Sequence, residues 1–188
     1  MEAASREWNT AMAAVLKLKN EEVEAICALY SGIYPVNYNC PGQLVVAGLK
    51  EEMTSFKAVI KEKGGAFVPL PVSAGFHSPF MSKASEGFYT ELKDIDIHSP
   101  RLPVYSNVNA LPYDKDVKVL MAKQIKSPVR WQETIENMIS DGAAIFIEVG
   151  PGTVLKGLIS KINSAVKVFN VEDVKSLEST IRAVKENA

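Results

Sequence analysis

One segment of the sequence sets the pattern for the first half of the fold: YPVNYNCPGQLVVA, residues 34–47. Residues 34–39 alternate in the manner of a β-strand. Pro41 and Gly42 follow as a turn signal, and residues 43–47 form a second strand-like run. Together these features predict a β-hairpin.

The sequence on each side of this hairpin predicts a strand and a helix. Upstream, residues 11–18 form a strand and residues 20–30 a helix, with Asn20 as the expected N-cap. Downstream, residues 49–63 form a helix and residues 66–70 a strand. The resulting order, β-α-β-β-α-β, is the ferredoxin-like pattern. We therefore expect residues 11–72 to form a ferredoxin-like small subdomain.

Strands and helices alternate in the sequence after residue 72. This alternation predicts an α/β region with a parallel, doubly wound sheet. Ser127 and Pro128 form a helix start, with serine at the N-cap and proline at the first helical position. The other predicted helices cover residues 81–92, 116–124, 153–162 and 174–185, and the strands cover residues 104–107, 143–149 and 166–171. With about three core strands, residues 73–188 are expected to be part of a larger sheet, and residues 1–10 the end of a helix that belongs to it.

The composition excludes several classes of protein. The chain has 188 residues, a net charge of −1 and 23% charged residues of both signs, which argues against a nucleic-acid binder with its clustered basic face. The apolar runs are far too short to cross a bilayer. Cys27 and Cys40 lack CxxC spacing and no apolar leader is visible, so a reducing, cytoplasmic compartment is expected. No metal site is predicted.

A histidine stands where a strand-like stretch ends, in the run PVSAGFHSPFM, residues 71–81. His77 follows small residues on a turn, an arrangement that presents a general base at a strand end. The alternative is a histidine that satisfies the turn. The other histidine, His98, lies in a polar connection before Pro100 and is expected to have no catalytic role.

Four segments in order give a family resemblance: residues 39–43 (NCPGQ), 71–81, 123–131 (KQIKSPVRW) and 148–152 (EVGPG). Together they resemble the malonyl-CoA:acyl carrier protein transacylases. This resemblance implies an α/β-hydrolase-like acyltransferase core, of which residues 73–188 are the C-terminal part, beside the ferredoxin-like subdomain. It implies malonyl-CoA as substrate, acyl carrier protein as partner, fatty acid biosynthesis as the process, and no cofactor.

The resemblance also implies roles for individual residues. His77 matches the family's catalytic base, and Gln124 matches the residue whose backbone carbonyl orients it. Phe76 matches the malonyl-selective form of the position before the histidine, since an aromatic ring fills the space of an α-methyl group. The alternatives are a core residue for Phe76 and a solvent-facing helix end for Gln124.

Three amide side chains match the family's Asn-x-Asn-x-Pro-Gly-Gln pattern, which lines the channel for coenzyme A or phosphopantetheine: Asn37, Asn39 and Gln43. Amides suit such an amide-bearing arm because each offers a donor and an acceptor. The alternative is an ordinary polar hairpin turn. In the Gly-Pro-Gly sequence at residues 150–152, a structural strand-to-helix turn is favoured over an anion cradle, since no phosphate-loop Lys-Ser/Thr follows.

The chain contains no Gly-x-Ser-x-Gly pentapeptide, the motif that carries the nucleophile of these enzymes. We therefore expect an upstream segment to carry the serine, and expect this polypeptide alone to be inactive. The alternative is a non-catalytic remnant that binds a carrier protein or another subunit.

Overall fold

A four-stranded antiparallel sheet forms the centre of the first half of the chain, with strand order β2-β3-β1-β4. Residues 7–72 and 74–186 are described by the structure, a computed structural model. The sheet elements and their two connecting helices are β1 (Thr10–Leu16), α1 (Asn20–Cys27), β2 (Ile33–Cys40), β3 (Gln43–Leu49), α2 (Lys50–Glu62) and β4 (Ala66–Pro69).

The predicted hairpin is confirmed. Strands β2 and β3 pair antiparallel, with Cys40 opposite Gln43 at the closed end. Between them Pro41 is followed by Gly42 at φ +73°, the sequence and backbone pattern of a type II turn, in which glycine takes the left-handed position. Asn20 is the first helical residue of α1 rather than its cap, and Lys19 precedes it in an extended conformation.

The sheet has a buried cluster on each face. The larger cluster joins alternate residues of β1 and β3 to the apolar sides of α1 and α2 and includes Phe56 and Ile60, both fully buried. The two helices therefore pack on one face, as the β-α-β-β-α-β order predicts. The smaller cluster on the opposite face consists of Met12, Ala14, Val36, Val45 and Ala47, with Phe76 packed against it.

Between β4 and residue 140, the regular elements that the structure describes are helical. They are a 3₁₀ turn (Pro79–Met81), α3 (Ser82–Leu92), α4 (Val117–Gln124) and α5 (Trp131–Ser140). The predicted strand at residues 104–107 is wrong. Tyr105 forms only an isolated bridge with Pro112, and Pro112 has no N–H with which to extend a ladder.

The predicted helix start at Ser127 and Pro128 is also wrong, since α5 begins at Trp131. The cause is a contact that is distant in sequence. Val129 donates its N–H to Val36 O and accepts from Tyr38 N, at 2.8 and 2.9 Å, so these residues extend along β2 instead of coiling.

The chain separates into two compact units, one through Thr134 and one from Ile135 onward. The predicted boundary between residues 72 and 73 falls inside the first unit and stays a prediction. Of the predicted helix end at residues 1–10, residues 1–6 lie outside the described residues, and residues 7–9 form a turn and bend before β1.

The second unit contains a parallel pair of strands flanked by helices: β5 (Ile145–Val149), α6 (Val154–Ile162), β6 (Lys167–Val171) and α7 (Val174–Lys185). Asp173 caps α7 by accepting a hydrogen bond from Ser176 N at 2.7 Å. Strand-helix alternation of this kind is the predicted parallel α/β arrangement. Among the helices described, none is long and apolar enough to cross a membrane.

Candidate active site

His77 lies on a tight turn between β4 and α3, with a φ of +59° in the left-handed region. This region is uncommon for a residue other than glycine and costs of order 1–3 kcal/mol, so the surrounding structure must hold it. Two buried hydrogen bonds at Gly75 do so. Gly75 N donates to Thr10 Oγ1 at 2.8 Å, and Ser78 Oγ donates to Gly75 O. The turn is thereby tied to the first strand of the sheet.

The imidazole of His77 meets the end of α4. Its Nδ1 lies 3.0 Å from Gln124 O, the contact that the family resemblance implies. Gln124 is the last residue of α4, so its carbonyl is one of those left without an intrahelical partner. Because a carbonyl can only accept, Nδ1 carries the proton and donates it, which leaves the lone pair on Nε2.

A cavity of about 700 Å³ opens beside His77. Its polar groups are His77, Asn107 and Gln124, and the rest of the lining is apolar or without a side chain: Ala84, Gly87, Phe88, Met121 and Ile125. Ligand sites of proteins have this size and this mixture of an apolar wall with a few polar groups.

Residues 124–130, which we name the orienting segment, leave the end of α4 and connect this cavity to the sheet. Asn107 binds the segment at several points. Its backbone N donates to Gln124 Oε1 at 3.3 Å, and its Nδ2 donates to Ser127 O at 3.4 Å and to Pro128 O at 3.1 Å. Its carbonyl accepts from Arg130 N at 3.3 Å. The prediction from the sequence placed Asn107 at the end of a strand and gave it no such part.

The hairpin amides Asn37, Asn39 and Gln43 lie on or beside the sheet strands β2 and β3. Asn37 is half-buried on β2, and its backbone pairs with Val45 and forms a parallel bridge to Val129 of the orienting segment. Gln43 Oε1 accepts from the Cys40 thiol at 3.9 Å. Asn37, Asn39 and Gln43 are not among the described residues that line the cavity at His77. Their predicted substrate contacts stay predictions.

Phe76 is half-buried and packs against the smaller cluster of the sheet. This packing agrees with the core alternative, and the predicted role in malonyl selectivity stays a prediction. The side chain of His98 is 87% exposed, and its Nε2 lies 3.6 Å from Asp96 Oδ2. His98 is therefore a surface residue.

The Gly-Pro-Gly turn of residues 150–152 has its N–H groups satisfied from within the chain. Gly152 N donates to Glu172 Oε2 at 2.8 Å. At the start of α6, Leu155 N and Lys156 N donate to the carboxylate of Glu148 at 3.0 and 2.8 Å. A protein carboxylate therefore takes the position that an anion would occupy at a helix N-terminus, in agreement with the structural reading of this turn.

Comparison with known proteins places the chain in a family. The model of the acyl transferase domain matches residues 2–188. The chain belongs to this family. It is similar to the malonyl CoA-acyl carrier protein transacylase of Bacillus subtilis (strain 168), with 36% identity over 183 residues, which are 94% of this chain and 58% of that protein. The Staphylococcus aureus (strain N315) transacylase is 42% identical over 174 residues, 87% of this chain and 56% of that protein.

Solved structures agree with this assignment. The malonyl CoA-acyl carrier protein transacylase of Clostridium perfringens superposes with a TM-score of 0.91 at 41% identity, over 94% of this chain and 58% of that one. A malonyl-transacylase solved in complex with a type II polyketide synthase acyl-carrier protein has a TM-score of 0.91 at 30% identity, over 96% of this chain and 62% of that one. The chain thus spans less than two thirds of the length of these relatives.

Proposed function

We propose that the protein to which this chain belongs transfers a malonyl group from malonyl-CoA to the phosphopantetheine thiol of an acyl carrier protein, in fatty acid biosynthesis. The observation that carries this proposal is the hydrogen bond between His77 Nδ1 and Gln124 O, 3.0 Å long, at the edge of the cavity. It leaves Nε2 as a base beside a space of ligand size.

In the first half of the reaction, His77 removes a proton from a serine hydroxyl with Nε2 while the serine oxygen attacks the thioester carbon of malonyl-CoA. As the C–S bond breaks, the same nitrogen returns the proton to the sulfur of coenzyme A. In the second half, the carrier thiol gives its proton to Nε2 and its sulfur attacks the ester carbon of malonyl-serine. The ester C–O bond breaks, and Nε2 returns the proton to the serine oxygen. The negative end of the α4 dipole, at Gln124, favours the imidazolium that forms between these steps.

We place the serine outside this chain, on a segment that precedes it in the whole protein. The absence of a Gly-x-Ser-x-Gly sequence among the 188 residues and the 58% coverage of the Bacillus subtilis relative support a serine outside this chain, and the family resemblance implies that it precedes His77. The serine elbow then completes the site that His77 and Gln124 begin.

Four further assignments belong to the same proposal. Residues 11–72 are a ferredoxin-like subdomain and residues 73–188 part of an α/β-hydrolase-like core, supported by the strand order β2-β3-β1-β4 and the parallel β5-β6 pair. Phe76 selects malonyl, and the hairpin amides Asn37, Asn39 and Gln43 contact the phosphopantetheine arm. The protein acts in a reducing, cytoplasmic compartment, where fatty acid precursors of this class are used.

The test is a transfer assay with the chain alone and with the chain co-expressed with the part of the Bacillus subtilis transacylase that it leaves unmatched. Mass spectrometry follows the malonyl group on each polypeptide and on the carrier protein. We expect the chain alone to acquire no stable malonyl adduct and the assembly to load the carrier.

His77→Ala is expected to lower the rate of the assembly about 10²–10⁴-fold, the usual contribution of a general base. His98→Ala is the matched control, because it removes the other histidine of the chain and leaves the rate unchanged. A stable malonyl-serine on the chain alone, or an unaffected His77→Ala assembly, contradicts the proposal. An assembly that binds the carrier protein and transfers nothing supports the non-catalytic alternative.

A further inference from the structure

Asn107 lies at the centre of the contacts that hold the carbonyl partner of His77 in place. It lines the same cavity as His77, and it forms four hydrogen bonds to the orienting segment, two from its backbone and two from its side chain. The backbone bonds reach the two ends of the segment, Gln124 and Arg130, and the side-chain bonds reach its middle.

The side-chain bonds of Asn107 fix which way its amide points. Nδ2 faces two backbone carbonyls, Ser127 O and Pro128 O, at 3.4 and 3.1 Å. Two acceptors require a donor between them, so the nitrogen occupies this position and the carbonyl oxygen of the amide does not. An isosteric carboxylate there would place oxygen against oxygen.

One of the backbone bonds of Asn107 reaches the residue that contacts His77. Gln124 accepts two hydrogen bonds at two different oxygens. Its main-chain carbonyl accepts from His77 Nδ1, and its side-chain Oε1 accepts from Asn107 N. The orienting segment is irregular in its middle, since α4 ends at Gln124 and α5 begins at Trp131. Its position is therefore set by hydrogen bonds to other parts of the chain: to Asn107 on one side and, through Val129, to β2 on the other.

We infer that Asn107 is a positioning residue, which holds the orienting segment so that Gln124 O stays aligned with His77 Nδ1 and keeps the neutral imidazole in the Nδ1–H form. The inference rests on the proposed function, in which Nε2 must be the free nitrogen. It concerns a state of the imidazole that can be measured without any acyl transfer.

The test is nuclear magnetic resonance of the 188-residue chain with ¹⁵N-labelled histidine, at an alkaline pH where imidazole is neutral. The nitrogen shifts distinguish the Nδ1–H form from the Nε2–H form, and His98 serves as the solvent-exposed reference. We expect His77 of the unaltered chain to be mainly in the Nδ1–H form, because its hydrogen bond requires that form.

Asn107→Asp is expected to lower the ratio of the Nδ1–H to the Nε2–H form of His77 by about threefold or more, the scale of one net hydrogen bond. Asn107→Ala is expected to act in the same direction and more weakly, since water can replace the lost donors. Asn109→Ala is the matched control: Asn109 belongs to the same turn, and its Oδ1 accepts from Leu111 N at 3.3 Å without reaching the orienting segment.

The outcomes separate this inference from the proposed function. If His77 is in the Nδ1–H form and folded Asn107 variants leave the ratio unchanged, the positioning role is refuted and the proposed function stands. If His77 of the unaltered chain is in the Nε2–H form, the arrangement on which both rest is refuted. Should Asn107→Asp and Asn107→Ala both prevent folding, Asn107→Ser decides the point, since its hydroxyl has a single proton and cannot donate to Ser127 O and Pro128 O together: an unchanged ratio refutes the role.

Discussion

Thr10→Val tests whether the turn of His77 is held by its buried hydrogen bonds. Thr10 is 2% exposed, and its Oγ1 accepts from Gly75 N at 2.8 Å. Valine has nearly the same shape without the acceptor, so Gly75 N–H is left buried and unpaired. A buried unpaired donor costs about 1–3 kcal/mol, and we therefore expect the free energy of unfolding to fall by about 2 kcal/mol.

The measurement is urea denaturation followed by circular dichroism, with Thr90→Val as the control. Thr90 makes a hydrogen bond of 3.1 Å from Oγ1 to Glu86 O, on the exposed side of α3. There both groups remain accessible to water, so the control is expected to change stability by less than about 0.5 kcal/mol. If Thr10→Val has as small an effect as the control, Gly75 N–H does not need Thr10, and the turn is held in some other way.

Three further predictions concern selectivity and pH. In the complete enzyme, Phe76→Ser is expected to raise the ratio of kcat/KM for methylmalonyl-CoA over malonyl-CoA by about 10-fold or more, since one methyl group is worth about 1–3 kcal/mol; an unchanged ratio in a competition assay would mean that Phe76 serves only the core. Burial raises the pKa of the Cys27 thiol from 9.0 to about 12. The stability that this shift contributes is therefore complete below pH 9 and is lost as the pH rises through 12. Alkaline unfolding of Cys27→Ala should accordingly depend less on pH in this range. Hydrogen bonds from the backbone and side chain of Ser176 lower the pKa of Asp173 below 3.8. The stability that this shift contributes is present above pH 3.8 and is lost as the pH falls through the lowered pKa. The free energy of unfolding of Asp173→Asn should therefore fall less steeply with acid, and acid curves identical to those of the unaltered chain would refute this.

Much of the fold follows from local signals in the sequence. The β2-β3 hairpin is predicted because alternation and a Pro-Gly turn occur together within a few residues. Helix α7 has the predicted bounds, 174–185, because Asp173 provides a cap directly before the apolar repeat begins. Such features depend only on neighbouring residues, so the sequence displays them.

The errors occur where distant residues compete with a local signal. Ser127 and Pro128 are a good helix start, yet the chain there pairs with β2 through Val129 and coils only from Trp131. The candidate site divides in the same way. The family resemblance predicts the contact of His77 with Gln124, whereas the positive φ of His77 and the bonds of Asn107 arise only when the chain is folded.

The pairing of Val129 with β2 also limits how this protein can be recombined with its relatives. The turn and the strand register of the hairpin depend only on residues within it, so the hairpin alone would be the obvious segment to exchange. One of its strands, however, shares backbone hydrogen bonds with the segment that carries the carbonyl partner of His77. A hairpin exchanged between two family members would therefore keep the histidine correctly oriented only if residues 124–130 were exchanged with it, although the two lie far apart in the gene.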